Sequence, residues 1–172
     1  MSETKQSFTV CDDANPFLDG HYVLQEDSSL MPSNLLCGSF QLLLGAGYHT
    51  SIGINAKTGE CLTFYGLLDA IDFESAVLKI PESRKCSLFF KCASLKAQEG
   101  DHYIPFVEKA YFDEKQSVLS FGDITADTGQ VFEFAKDTYV KLLGDRLLCV
   151  YIRVPQNAIE RIKQKPKRRK WV

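Results

Sequence analysis

The sequence has no long apolar run. Its longest ones, at residues 42–44 and 147–152, fall far short of the roughly 20 residues that a membrane-spanning helix needs. The first residues, MSETKQ, are polar throughout, whereas a signal peptide has a charged start followed by an apolar stretch. We therefore expect a cytoplasmic protein without a membrane-spanning segment.

Common catalytic and metal-binding motifs are also missing. The sequence contains no Gly-x-Ser-x-Gly, Cys-x-x-Cys or His-x-x-x-His, and its only imidazoles are His21, His49 and His102. The glycines at 45 and 47 precede an alternating strand pattern instead of the Gly-Lys-Ser/Thr of a phosphate-binding loop, so they predict a tight turn. The sequence thus predicts a noncatalytic protein that binds neither a metal ion nor a cofactor.

Six cysteines are present, several of them inside apolar, strand-like segments (Cys11, Cys37, Cys61, Cys86, Cys92 and Cys149). A chain of 172 residues can bury a substantial core without disulfides, and buried cysteine behaves as a small apolar residue. We interpret these cysteines as reduced core residues, in keeping with a cytoplasmic location.

Acidic residues are absent after position 160. Residues 161–172 carry seven positive charges, at Arg161, Lys163, Lys165, Lys167, Arg168, Arg169 and Lys170. Residues 1–160 contain 22 acidic and 13 basic residues, a net charge of −9. Because Pro166 and repulsion between like charges oppose a helix, we expect one β-rich domain over residues 1–160 and a disordered basic tail over 161–172.

Short alternating segments with turn residues between them predict a mainly β fold. Apolar and polar residues alternate over 48–55 and 60–65, which predicts a hairpin, and over 85–93, which predicts a central strand. Further strands are predicted at 21–26, 40–44, 107–112, 117–122, 130–134 and 147–154. Without β-α-β alternation, the pattern favours an antiparallel β-sandwich or barrel-like sheet with few short helices.

Four segments are less regular. We expect residues 1–20 to form an amino-terminal arm and residues 27–39 a loop, because both are rich in turn-forming residues. Residues 67–80 are ambiguous between helical spacing and an alternating strand, and we favour a short turn followed by a strand. Residues 135–143 suit either a helix or a strand, and the neighbouring strands favour a strand.

The strand-turn-strand rhythm of residues 107–154 resembles that of bacterial toxin-immunity proteins. It is carried by AYFDEK at 110–115, VLSFGD at 118–123 and LLCVYI at 147–152. Immunity proteins of contact-dependent growth inhibition systems are cytosolic and noncatalytic, and each binds one cognate toxin domain. The resemblance implies the same role here, but that family has no shared binding-residue signature to transfer.

An acidic body suits such a partner, because a nuclease toxin needs a basic cleft to hold nucleic acid. We expect the contacts from acidic residues in loops and termini, namely Asp12, Asp13, Asp69, Asp72, Glu74, Asp123 and Asp127. One alternative is a nucleic-acid contact by Lys167, Arg168, Arg169, Lys170 and Trp171. Others are a small-ligand β protein with a cavity lined by Phe64, Phe89, Phe90 and Phe121, or a hydrolase or transferase with a histidine in a cleft beside a nucleophile or carboxylate.

Overall fold

The computed structural model describes residues 6–12, 20–33, 40–45, 47, 49–92 and 102–165. Over these residues the chain forms fifteen strands, one 3-10 turn and one α-helix. The first nine strands are β1 (Ser7–Cys11), β2 (Tyr22–Leu24), β3 (Ser29–Pro32), β4 (Phe40–Leu44), β5 (Thr50–Ile54), β6 (Cys61–Leu67), β7 (Phe73–Ser75), β8 (Ser83–Lys85) and β9 (Ser87–Lys91). The others are β10 (His102–Ile104), β11 (Ala110–Asp113), β12 (Val118–Gly122), β13 (Gln130–Ala135), β14 (Thr138–Leu143) and β15 (Arg146–Arg153). The 3-10 turn is η1 (Leu68–Ala70) and the helix is α1 (Gln156–Gln164).

The strands form two large sheets and one small one. The six-stranded sheet has the order β10-β4-β5-β6-β3-β2, the seven-stranded sheet the order β7-β11-β12-β15-β14-β13-β8, and β1 pairs with β9. Neighbouring strands run antiparallel except in three pairs, β10–β4, β7–β11 and β8–β13. Each parallel pair includes a three-residue strand at the outer edge of a large sheet, so the interiors of both large sheets are antiparallel.

The main core lies between the two large sheets. Phe64 of β6 and Phe121 of β12 meet there with ring centroids 5.0 Å apart, and both rings are buried. The hydroxyl groups of Tyr22 (β2) and Thr138 (β14), 2.6 Å apart, form a buried hydrogen bond between the sheets. This face-to-face packing is that of a β-sandwich.

The outer face of the seven-stranded sheet is also buried. Its apolar cluster includes Leu78, Val118, Val131, Tyr139, Leu148, Cys149 and Tyr151. The segment 76–80 and the loop after β12 cover this cluster, and Lys141 donates a hydrogen bond to the Ala126 carbonyl of that loop. Strands β12 and β15 are therefore covered on both faces, as their almost continuous burial shows.

Much of the predicted architecture is confirmed. The fold is mainly β and sandwich-like, with a single helix in the described part of the chain. Strands β5 and β6 form the expected hairpin, and residues 138–143 form a strand, as their neighbours favoured. Residues 67–80 contain a turn and a short strand, but the strand is Phe73–Ser75, and the alternating residues 76–80 lie across the sheet as an irregular segment.

Three expectations about individual segments are wrong. Residues 7–11 are not part of an arm, because they pair with β9. Residues 29–32 of the predicted loop form β3, between β2 and β6. Strand β9, expected at the centre of a sheet, pairs along its length with β1 and otherwise makes a single bridge, Glu60 to Phe89. The rest of the predicted arm, residues 1–5 and 13–19, lies outside the described residues.

The predicted boundary at residue 160 falls inside α1. This helix buries Ala158, Ile159 and Ile162 in the main core and continues to Gln164. Residues 161–164 thus belong to the folded domain, and the remaining predicted tail, residues 166–172, lies outside the described part of the chain. No helix among the described residues is long and apolar enough to cross a membrane.

The turn after β11 depends on one buried carboxylate. Asp113 accepts backbone hydrogen bonds from Leu78 (2.8 Å), Lys115 (2.9 Å) and Gln116 (3.0 Å). The bond from Leu78 is the largest cause of a lowered Asp113 pKa. Asp113 therefore fixes both its own turn and the segment that covers the outer face of the sheet.

We expect Asp113→Asn to lower the free energy of unfolding by about 1–3 kcal/mol at pH 7, because the charged acceptor of three backbone donors is lost. Since the folded pKa is lowered, the stabilisation is present above the unfolded pKa of about 4 and is lost as the pH falls through the folded pKa. Urea unfolding at a series of pH values should show that the difference in free energy of unfolding between wild type and variant decreases in acid. The matched control Asp127→Asn, at an exposed position, should have almost the same free energy of unfolding as the wild type. A difference for Asp113→Asn that does not change with pH would contradict this account.

Candidate functional site

Four acidic residues lie along one edge of the seven-stranded sheet. Asp69 is in η1, Asp72 follows it, Glu74 is in the outermost strand β7, and Glu114 is in the turn after the neighbouring strand β11. We call these four residues the acidic edge. They include Asp69, Asp72 and Glu74 of the predicted partner-binding set.

Within the described part of the chain, β7 is the last strand at this edge of the sheet. It pairs with β11 on one side, and Phe73 packs against Phe121 with ring centroids 5.7 Å apart. Glu74 and Ser75 are exposed, and Val77, just beyond the strand, is 95% exposed. An outer strand leaves backbone N–H and C=O groups unpaired, and another chain can pair with them.

The end of α1 supplies cations to the acidic edge. The Arg161 guanidinium contacts both Asp69 oxygens, with Nε 3.0 Å from Oδ1 and Nη2 2.5 Å from Oδ2. Lys163 pairs with Glu114. The Lys165 ammonium lies 3.8 Å from Asp72 and donates a 2.5 Å hydrogen bond to the Ile71 carbonyl. Three charges of the predicted tail are thus held against the body.

Other predicted acidic residues lie elsewhere. Asp12 pairs with Arg84 (3.0 Å) of β8, at the opposite edge of the seven-stranded sheet, and Asp127 lines a groove that also contains Arg84. Asp123 accepts hydrogen bonds from the hydroxyl and backbone N–H groups of Thr125, which lower its pKa and shape its turn. Asp13 and the predicted nucleic-acid residues, 167–171, lie outside the described residues.

A cavity of about 210 Å³ adjoins the acidic edge and shares Asp72 with it. Its apolar lining consists of Leu44, Ala70, Ile71, Phe106, Val107, Ala110 and Phe121. Polar groups come from His49, Thr50, Asp72, Glu108 and Lys109. Of the four aromatic residues predicted to line a cavity, Phe121 lines this one; Phe64 and Phe90 are fully buried in the core, and Phe89 is half-buried.

Glu108 and His49 approach each other beside Gly47. The Gly47 N–H donates a 2.8 Å hydrogen bond to Glu108 Oε1. A methyl group on Gly47 would lie 3.2 Å from His49 Cδ2 and 3.5 Å from Glu108 Oε2, so the imidazole ring and the carboxylate both lie close to Gly47. The Gly-Ala-Gly sequence predicted only a turn, and because Glu108 is 61 residues away, nothing local indicated its position.

The described cysteines include three buried ones, Cys61, Cys86 and Cys149. Burial raises the pKa of each thiol, to about 12 for Cys86 and Cys149. A thiol of such pKa forms almost no thiolate at neutral pH, so these cysteines act as core residues. No group of three or more His, Cys, Asp or Glu residues in the described ranges is arranged to hold a metal ion.

No protein-family model matches the chain, and no curated protein is significantly similar to it.

We expect Asp69→Asn to lower the free energy of unfolding by less than Ile159→Ala does. The Asp69–Arg161 pair is largely exposed, whereas truncating the buried Ile159 side chain should cost about 2–5 kcal/mol. The hydrogen bond from Arg161 is the largest cause of the lowered Asp69 pKa, so the Asp69→Asn effect should be present above about pH 4 and disappear in acid. Thermal unfolding at low and high salt measures the loss of stability caused by each of the two substitutions. An Asp69→Asn effect that does not shrink with salt would contradict a surface ion pair.

Proposed function

We propose that this chain is an immunity protein of a bacterial contact-dependent growth inhibition system. In this role it is cytoplasmic and noncatalytic, and it binds and blocks a cognate toxin domain. The observation that supports this most is the acidic edge, a set of carboxylates on an open sheet edge beside the exposed Val77. The strand-turn-strand resemblance of residues 107–154 gives the class of partner.

The contacts with α1 support a basic partner. They show that carboxylates of the acidic edge accept both guanidinium and ammonium groups. Asp72 stays 75% exposed beside Lys165, and no described cation pairs with Glu74. These two carboxylates are therefore available to a second set of cations.

The outer strands at the two edges of the seven-stranded sheet differ in the charge of their side chains. The β8 edge carries Arg84 and Lys85, with Asp12 paired to Arg84. Strand β7 carries Glu74, and the ion pairs that the acidic edge makes within the described residues are all with cations at the end of α1. A partner with a basic cleft is attracted to the β7 edge, and its approach is accelerated by long-range electrostatic attraction.

The open edge also suggests how the partner binds. An extended segment can add to an outer strand through backbone hydrogen bonds, and its side chains then give specificity. In this arrangement basic side chains of the toxin contact Asp72 and Glu74, and an apolar side chain covers Val77. The complex blocks the toxin by occupying the cleft that would otherwise hold nucleic acid.

The decisive experiment uses the product of the adjacent upstream gene, because immunity genes normally follow the gene of the toxin that they neutralise. The two proteins are co-expressed, purified together and identified by mass spectrometry. A stable one-to-one complex that inhibits the activity of the upstream product supports the proposal. Failure of the upstream product to form a complex contradicts it.

We expect Asp72→Asn with Glu74→Lys to slow association at least tenfold at low salt, because the acidic edge then repels a basic partner. Surface plasmon resonance over a range of salt concentrations measures this effect. Asp127→Lys at the opposite edge and Glu26→Lys in the β2–β3 turn are matched controls with exposed carboxylates, and they should slow association much less. Equal slowing by all the variants would place the interface elsewhere.

A further inference from the structure

Strand β7 turns one row of its backbone groups away from the sheet. The Ala76 N–H donates a 3.0 Å hydrogen bond to a carbonyl of β11, and the Leu78 N–H donates a 2.8 Å bond to the Asp113 carboxylate. Because alternate residues of a strand direct their backbone groups to opposite sides, Ser75 and Val77 present theirs away from β11. No described strand pairs with β7 on that side, which we call the open side of β7.

The side chains beside these backbone groups are also uncovered. Val77 is 95% exposed, and Glu74 carries an exposed carboxylate. Native proteins usually protect such an edge, because any extended chain can pair with it. The open side of β7 is therefore suited to an extended segment that combines a cation with an apolar side chain.

Helix α1 brings the chain to the beginning of this edge. The helix ends at Gln164, and Lys165 is extended, with φ −61° and ψ 125°. The Lys165 ammonium donates a 2.5 Å hydrogen bond to the Ile71 carbonyl, just before β7. Pro166 cannot continue a helix, and it favours an extended residue before it. The chain thus leaves α1 beside the start of β7, by way of an extended residue.

We propose that residues 166–172, PKRRKWV, lie along the open side of β7 as an additional parallel strand. The contact between Lys165 and Ile71 sets the register, because both strands advance by about 3.3 Å per residue. Three residues after these two come Arg168 and Glu74. The Arg168 guanidinium then lies beside the Glu74 carboxylate, which pairs with no cation in the described ranges.

The same register brings Trp171 to Val77. Each of them comes three residues after the charged residue of its own strand. Residues three apart in a strand lie on opposite faces, so Trp171 and Val77 share the face opposite to the ion pair. The indole ring covers the exposed Val77 side chain there. One segment thus supplies the cation and the apolar group that the open side of β7 lacks.

The covalent connection makes weak contacts sufficient. Exposed ion pairs stabilise a complex only slightly, so a separate peptide with these few contacts would bind poorly. Residues 166–172 are joined directly to α1, and a short connection gives an effective concentration of about millimolar. The occupied edge no longer pairs with other chains, and a partner that uses the same edge has to displace residues 166–172.

Trp171 is the only tryptophan in the sequence, so its fluorescence reports on this segment alone. In the folded chain its emission should lie at shorter wavelength than in urea, and acrylamide should quench it less. Glu74→Lys should move both values towards those in urea, because it repels Arg168, and Arg168→Glu in the same chain should restore them. The matched control Glu26→Lys, at an exposed carboxylate in the β2–β3 turn, should change neither.

Two fluorescence results would overturn the proposal. One is that Trp171 has the same emission and quenching in the folded chain as in urea. The other is that Glu74→Lys has no more effect than Glu26→Lys, which would place the segment elsewhere.

Hydrogen exchange followed by NMR tests the backbone pairing. The N–H groups of Ser75 and Val77 should exchange at least about tenfold more slowly than unprotected amides, as expected when the edge is occupied in about nine of ten molecules. Glu74→Lys should remove this protection, whereas the Ala76 N–H, which bonds to β11, should stay protected. Unprotected Ser75 and Val77 amides in the wild type would contradict the added strand.

The concentration dependence distinguishes this chain's own segment from that of a second copy. Protection of Ser75 and Val77 should be the same in dilute and concentrated protein. Protection that rises with protein concentration would mean that the edge binds another copy, and it would overturn the proposal. None of these measurements needs a toxin, so their outcome is independent of the proposed immunity function.

Discussion

The seven-stranded sheet is apolar on both faces, and much of the structure follows from the need to cover both. The six-stranded sheet covers the inner face, where Phe64 meets Phe121. The segment 76–80 and the loop after β12 cover the outer face. Two hydrogen bonds keep this outer cover in place. The Leu78 N–H donates to the Asp113 carboxylate, and the Lys141 ammonium donates to the Ala126 carbonyl. Burial of apolar area is the dominant favourable term in folding, so these covers matter more than any surface ion pair.

This two-sided burial determines where polar chemistry can occur. The central strands expose almost no side chain, and charges are left to the sheet edges and the connecting turns. The acidic edge lies on the outer strand β7 and the turns around it. The cavity forms where η1, the end of β4 and residues 106–110 meet. Both features depend on short, irregular connections next to a rigid core, the usual setting of binding sites.

Sequence patterns predicted the parts of the fold that depend on local alternation. The hairpin β5–β6 and most of the later strands are examples, because short apolar or alternating segments bounded by turn residues predict a strand whether one face or both faces are buried. Strand β1, SFTVC, alternates like a strand and was missed because polar, turn-forming residues flank it on both sides. Strand β3 was missed because Pro32 and its neighbours resemble a loop. Pairing partners and the parallel edges are properties of the whole sheet, and no residue pattern within a three-residue strand specifies them.

The site was less predictable, because its contacts join distant parts of the chain. Asp69 and Arg161 are 92 residues apart, and Gly47 and Glu108 are 61 apart. The sequence gives a net charge of −9 for residues 1–160 and of +7 for residues 161–172. It does not show that three of the positive charges in 161–172 pair with carboxylates in 1–160. Only the acidic residues at 69, 72 and 74 were close enough in sequence for their proximity to be foreseen.

The end of α1 connects the two candidate surfaces. Lys165 donates to the Ile71 carbonyl and lies beside Asp72, and both residues also line the cavity. Only 16% of the Lys165 side chain is exposed, so it is held in place more firmly than a surface lysine. Lys165 therefore has a structural role that requires no external partner. It holds residues 71–72, which line the cavity and include Asp72 of the acidic edge.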